Sequence, residues 1–160
     1  MNNNIQTLHD RARVWIYQSS REFTSEETQR LQSELDDFLH NWEAHGAPLE
    51  AAGTIEHDRF VVIAVDEGAN AATGCSIDSS VEWIRKQGEK LGVDFFNRMA
   101  IAWMDDKELK ISPMHDFWAM RKAGLINDDT HVFNNLVKNL GEWRTGWITP
   151  FGQSWHAEMW

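Results

Sequence analysis

The chain has 160 residues and a formal net charge of −10, with 15 basic side chains set against 25 acidic ones. The basic residues are scattered and form no run, so the composition argues against a nucleic-acid partner and against attraction to an anionic membrane surface. One cysteine cannot form an internal disulfide and no apolar run is long enough to span a bilayer, which predicts a soluble cytoplasmic protein.

The N-terminal third predicts a strand followed by an amphipathic helix. Residues 13–18 (RVWIYQ) are β-branched and aromatic, as is typical of strands. Thr24 and Glu27 form a T-x-x-E capping box, and large apolar residues then recur every three or four positions, which predicts a helix. Gly46 and Pro48 are expected to end this helix.

The middle of the chain predicts two strands and a second helix. Residues 51–55 and 59–65 are expected to pair, and the second strand is nearly all apolar, which favours a central position in a sheet. A helix is expected from about Asp78 to Leu91, with Gly92 as its terminator.

The C-terminal part predicts a hairpin, a helix and an aromatic tail. Residues 96–104 and 107–111 are expected to form the hairpin, and Ser112-Pro113 is typical of a helix start. This third helix should end at Gly124 and be followed by a strand at 130–133. The tail, residues 138–160, is rich in tryptophan and has a short helical pattern near 139–143.

The predicted order of elements is βαββαββαβ, which indicates an α+β fold. Residues 13–104 match the βαββαβ arrangement of a ferredoxin-like core. Residues 105–160 would then form a Trp-rich helix-strand extension packed on that core, within a single domain of residues 1–160. A homodimer is compatible with this architecture, because such sheets often leave an open edge that a second copy can cover.

The turn Gly74-Cys75-Ser76 is the first candidate site. It lies between the apolar strand and the second helix, where backbone N–H groups of a helix N-terminus can bind an anion. Asp78 is the other residue assigned to this site. The alternative interpretation is an ordinary capped helix start with no ligand.

Cys75 could also be a nucleophile, because a helix N-terminus favours the thiolate form of a cysteine. His57 and His115 are the candidate bases, and Asp66 at the end of the apolar strand could act as a general acid or base. The alternative is that Cys75 is a small buried apolar residue.

The sequence predicts neither a metal site nor a cofactor. The chain has no H-x-x-x-H, H-E-x-x-H or C-x-x-C motif. A phosphate-binding loop is also missing, because Gly68 and Gly74 are one residue too far apart and Cys75 occupies the place of the required lysine. Nucleotide hydrolysis is therefore not expected.

The segment 111–133 (ISPMHDFWAMRKAGLINDDTHVF) resembles the helix-then-strand portion of GYF-type adaptor domains. The shared residues are Ala123-Gly124, Ile126, Asp129-Thr130 and Val132-Phe133. The resemblance implies a role in binding a protein partner.

Several strings along the chain resemble a family of short uncharacterised bacterial proteins that often carry the label "ABC transporter ATPase". They are RVWIYQSSREFT, HGAPLEAAGTI, DRFVVIAVDE, GCSIDSSV, LGVDFFNR and the terminal SWH. The family implies no established activity. The ATPase label conflicts with the absence of the lysine that a phosphate-binding loop requires.

The sequence therefore predicts a non-catalytic binding or interaction protein. Its site would be a groove lined by Trp103, Trp118 and Trp143, because an aromatic groove with a few polar groups is typical of ligand sites. The partner would be a protein or a small anionic ligand. The alternatives are a small thiol-dependent enzyme and a small-anion binder, both using the Gly74-Cys75-Ser76 turn.

Overall fold

A computed structural model of the chain describes residues 4–159. The fold is mixed α+β with antiparallel sheets, as predicted. The described residues divide into a first unit, 4–96 with 138–141, and a second unit, 97–137 with 142–159. The helices and strands, in chain order, are β1 (Arg13–Gln18), α1 (Ser25–His40), β2 (Glu43–Ala44), β3 (Ala47–Pro48), β4 (Glu50–Glu56), β5 (Phe60–Asp66), α2 (Gly74–Leu91), β6 (Ala100–Asp105), β7 (Glu108–Pro113), α3 (Met114–Lys122), β8 (His131–Phe133), α4 (Leu140–Gly146) and β9 (Ile148–Pro150).

The first unit contains a three-stranded antiparallel sheet in the order β1-β5-β4. Ile63 of β5 lies opposite Trp15 of β1 and opposite Gly53 of β4. All seven residues of β5 are buried. The prediction that this apolar strand is central is confirmed, because only a strand paired on both edges and covered on its faces buries every side chain.

Helix α1 begins where the capping box predicted it. The hydroxyl of Thr24 accepts from the N–H of Glu27, and the carboxylate of Glu27 accepts from the N–H of Thr24. The prediction that Gly46 ends the helix is wrong, since α1 ends at His40. His45 and Gly46 both have positive φ and form the tight turn between β2 and β3, a conformation that glycine adopts without strain.

Helix α2 begins four residues earlier than predicted, at Gly74 and not near Asp78. Thr73 is the N-cap and forms a reciprocal capping box with Ser76, the same device that begins α1. A T-x-x-S pattern was therefore the missed signal. Gly92 ends the helix in the left-handed conformation, as predicted.

The two helices of the first unit enclose a core of buried apolar side chains with the sheet. Leu35 and Leu39 of α1 lie so close to Gly53 that a Cβ there would be 2.7 Å from a Leu35 methyl. Trp42, just beyond α1, donates its indole N–H to the carbonyl oxygen of Ser76 in α2 (2.9 Å). This bond fixes the start of α2 against the end of α1.

The second unit contains a four-stranded antiparallel sheet in the order β7-β6-β8-β9. The ferredoxin-like βαββαβ topology is not confirmed, because β6 pairs with β7 and β8 and does not join the sheet of the first unit. The physical reason is that both edges of β6 are occupied, one by β7 through the tight hairpin at Asp106 and the other by β8. The single domain with a packed extension stays a prediction.

The start of α3 also differs from prediction. Ser112 is not its N-cap but a residue of β7, where its hydroxyl accepts from the indole N–H of Trp103 (3.0 Å). Pro113 is at the N-cap position and provides no side-chain hydrogen bond. Gly124 follows the helix with φ of +80°, as expected of a helix terminator.

The C-terminal tail contains more regular structure than the sequence predicted. The short helix expected near 139–143 is α4, and β9 follows it and pairs with β8. Across residues 4–159, the helices are too short or too polar to cross a bilayer.

Candidate functional site

The predicted turn is part of α2. Cys75 is exposed and is the second residue of the helix. The N–H of Ser76 bonds to the Thr73 hydroxyl (3.2 Å), and the N–H of Ile77 bonds to the Thr73 carbonyl (2.9 Å). The amides of Ser76 and Ile77 are therefore already bonded, and Asp78 lies inside the helix.

His57 and Cys75 lie at opposite ends of α2. Arg21 donates to the carbonyl of Leu91, at the C-terminal end of the helix (2.7 Å). The N–H of Phe23, two residues after Arg21, bonds to the carbonyl of Asp58, which is the neighbour of His57. An 18-residue helix is about 27 Å long, so the structure does not bring these two side chains together.

The second candidate base, His115, is exposed and belongs to the second unit, in the first turn of α3. Of the two candidate bases, only His57 shares a unit with Cys75, and the structure places it at the other end of α2.

Asp66 is buried and paired. Its carboxylate accepts from Arg11 Nε (3.0 Å) and from the N–H of Gly68 (3.0 Å). The hydrogen bond from Arg11 holds the pKa of Asp66 below its ordinary value, with a further contribution from Gly68. A carboxylate held ionised in this way is a weak proton acceptor, so its geometry is that of a structural anchor for the N-terminal segment.

The tryptophans of the predicted groove have different surroundings. Trp103 is 5% exposed and belongs to the core of the second unit, with Phe117 against its ring (6.4 Å). Trp118 is half-buried beneath the ammonium group of Lys122 (3.5 Å), and Trp143 is half-buried against Trp147 (5.6 Å). Burial leaves Trp103 little surface for a ligand.

A cleft in the first unit, which we call the helix cleft, is the better candidate. It lies between α1 and α2 and has a volume of about 490 Å³, within the range of small-ligand sites. Its lining residues are Glu34, Asp37, Phe38, Asn41, Trp42, Glu43, Ser79, Trp83, Gln87 and Lys90.

Three aromatic rings form one wall of the helix cleft. Phe38 stacks on Trp83 with ring centroids 5.3 Å apart, and it also contacts Trp42 at 5.7 Å. Trp42 is held by its bond to Ser76, whereas Phe38 and Trp83 are half-buried and present ring surface to the cleft. The wall is therefore both fixed in position and accessible.

The polar groups of the helix cleft are mainly acidic. Glu34, Asp37 and Glu43 contribute carboxylates, and Lys90 contributes the single ammonium group. Glu34 Oε1 lies 3.7 Å from Lys90 Nζ, but Glu34 Oε2 is buried and has no hydrogen-bond partner in the described part of the chain.

Gln87 adds a second unpaired polar group. It is 4% exposed and lines the cleft, and among residues 4–159 its side-chain amide has no hydrogen-bond partner. Its amide atoms still reach the solvent of the cleft, so a ligand with complementary groups would replace the water there.

Sequence reasoning missed this site because it used the recurring apolar residues, which include Phe38 and Trp42, only as evidence for an amphipathic helix. The available signal was the placement of Glu34 and Asp37 at helical spacing beside those aromatic residues. The contribution of α2 could not be read locally, since Trp83 and Gln87 are more than 40 positions further along the chain.

Among residues 4–159, no group of three or more histidine, cysteine or carboxylate side chains is arranged to hold a metal ion. No protein-family model, curated protein or solved structure matches this chain.

Proposed function

We propose that the protein is a non-catalytic binding protein and that the helix cleft takes a positively charged group of its ligand. The observation that carries the proposal is the buried, unpaired carboxylate oxygen of Glu34 beside the aromatic wall. A protein partner with a basic side chain could supply that group.

Charge and ring chemistry favour the same ligand class. The cleft has three carboxylates against one ammonium group, so its local field attracts a cation and repels an anion. Aromatic faces add an attraction of about 0.5–2 kcal/mol for a cation placed over them, and most for tryptophan. A small anion is therefore not the ligand that this cleft favours.

The test is a titration of the intact protein, followed by NMR at the indole N–H of Trp83. Ethylammonium, ethylguanidinium and tetramethylammonium form the cation set, and acetate and phosphate form the anion set. We expect the cations as a class to shift the Trp83 signal and the anions to leave it unchanged. A matched variant, Trp83→Leu, should keep the fold and weaken cation binding measured by calorimetry.

Anions shifting the Trp83 signal, or the absence of any cation-induced shift at millimolar concentration, would contradict the proposal. Trp118→Leu is the control variant, since Trp118 is a half-buried tryptophan of the second unit and does not line the cleft.

A thiol-dependent enzyme is the second candidate, supported by the exposure of Cys75 near a helix N-terminus. The reaction would be acyl or alkyl transfer to its thiolate. The test is the rate of alkylation by iodoacetamide across pH. A thiol that reacts only as fast as a free peptide cysteine would exclude an activated nucleophile.

We also propose a cytoplasmic location, which the lone cysteine supports. The net charge of −10 supports the absence of a nucleic-acid partner. We also propose that the chain is related to the short bacterial proteins and that residues 111–133 are related to GYF-type domains. The shared sequence strings are the support for both proposals.

A further inference from the structure

We infer that the cation bound by the helix cleft is a guanidinium group, as on an arginine side chain, and that Glu34 and Gln87 select it. This inference rests on the proposed function and adds to it the chemical class of the ligand.

The unpaired acceptors of the cleft require N–H donors. Glu34 Oε2 is buried without a partner, and the amide of Gln87, which lines the same cleft, has no protein partner in the described structure. A quaternary ammonium ion has no N–H, so its binding would satisfy neither group and would displace water from the amide of Gln87. The ligand therefore has to bring donors as well as charge.

A guanidinium supplies these donors in the required form. It is planar, carries five N–H donors, stacks on aromatic rings and pairs with carboxylates in a two-bond geometry. The half-buried ring of Trp83, stacked on Phe38, lines the helix cleft together with Glu34 and is the ring available to a guanidinium. A compact primary ammonium can bond to Glu34 but cannot also stack.

Lys90 is an internal competitor. Its ammonium group lies 3.7 Å from Glu34 Oε1, and its side chain is 57% exposed, so it can swing into solvent. Because it already neutralises part of the Glu34 charge, removing it should strengthen the binding of an external cation.

The probes are four capped amino acids with matched frames, measured by calorimetry on the intact protein. N-acetylarginine amide carries the guanidinium, N-acetylcitrulline amide is its neutral isostere, N-acetyllysine amide carries a primary ammonium, and N-acetyl-trimethyllysine amide carries a quaternary one. We expect the arginine probe to bind about tenfold more tightly than the lysine and trimethyllysine probes, the equivalent of one charge-assisted hydrogen bond, and citrulline to bind weakest.

Three variants test the assigned roles. Glu34→Gln should remove the preference for arginine over trimethyllysine, and Gln87→Leu should weaken the arginine probe more than the trimethyllysine probe. Lys90→Gln should tighten the arginine probe a few-fold. The control is Glu89→Gln, which removes an exposed carboxylate of α2 outside the cleft and should leave all four affinities nearly unchanged.

The outcomes separate this inference from the proposed function. Equal binding of the three cations, or a preference for trimethyllysine, would overturn the guanidinium assignment while leaving the cation site in place. Failure of every cation would overturn both. A peptide with one arginine between alanines shows whether the guanidinium belongs to a protein segment or to a small molecule. Tighter binding than that of the capped amino acid indicates a protein segment, and equal binding indicates a small guanidinium ligand. Either result supports the guanidinium chemistry.

Discussion

At the scale of single residues, His156 shows how burial controls charge. It is 1% exposed, its Nδ1 lies 2.6 Å from the hydroxyl of Ser154, and the ring of Trp155 stacks on it at 3.8 Å. Burial lowers the pKa of His156 to about 4. The imidazole is therefore neutral at physiological pH and belongs to the packing of the second unit.

This pKa predicts a loss of stability on mild acidification. Because the unfolded chain binds a proton at an ordinary histidine pKa of about 6.5 and the folded chain does not, the free energy of unfolding falls as pH drops from about 6.5 to 4. The full loss is up to about 3 kcal/mol. Urea unfolding at pH 7.5, 6.5, 5.5, 4.5 and 4.0 measures it.

The control for this pH experiment is His115→Gln, which changes an exposed histidine of the same unit. His156→Gln should lower stability at pH 7.5 and flatten the pH dependence, whereas His115→Gln should retain the wild-type slope. An unchanged slope in His156→Gln would show that another group binds the proton.

At the scale of secondary-structure elements, the packing of α1 on β4 depends on one missing side chain. Gly53 lies opposite the two leucines of α1, and a Cβ there would be 2.7 Å from Leu35 Cδ2 and 2.9 Å from Leu39 Cδ1. Leu35 is fully buried, so its methyl groups have little room to move.

We predict that Gly53→Ala destabilises the protein by about 1–3 kcal/mol through overpacking. Chemical denaturation of the wild type and the variant measures the change. A double-mutant cycle with Leu35→Ala is the sharper test, because the space left by the leucine should accommodate the new methyl group. If the two changes simply add, the clash is not the cause of the instability.

At the scale of the whole molecule, the described chain contains two units, each with its own sheet and its own buried apolar cluster. Strand β5 pairs over six positions with β1 and seven with β4. Strand β6 pairs over six positions with β7 but at a single position with β8. The sheet of the first unit is therefore the more completely hydrogen-bonded.

This difference predicts the order of amide hydrogen exchange. Amides that open only on unfolding of a unit exchange slowest, so those of β5 should be protected longer than those of β6. Exchange followed by NMR measures both sets in one sample, and the two-residue strands β2 and β3 provide a fast-exchanging reference. Stronger protection in β6 would contradict the ranking, and equal protection would indicate that the units unfold together.

Several elements could be predicted from sequence because their causes are local. The capping box at Thr24, the apolar run that became β5 and the terminator Gly92 act within a few neighbouring residues, so each was placed correctly. The start of α2 was misplaced because Thr73 and Ser76 form a weaker version of the same local signal.

Only the tertiary structure decided which strands share a sheet and where a ligand could bind. The partners of β6 and the helix cleft both depend on residues far apart in the chain, such as Glu34 and Gln87, whose meeting no local pattern encodes. The amino-acid sequence by itself determined the α+β class, the acidic charge and the main amphipathic helices. The sequence did not reveal the site, because a cleft with unpaired polar groups forms only when side chains distant in the chain pack together and exclude solvent.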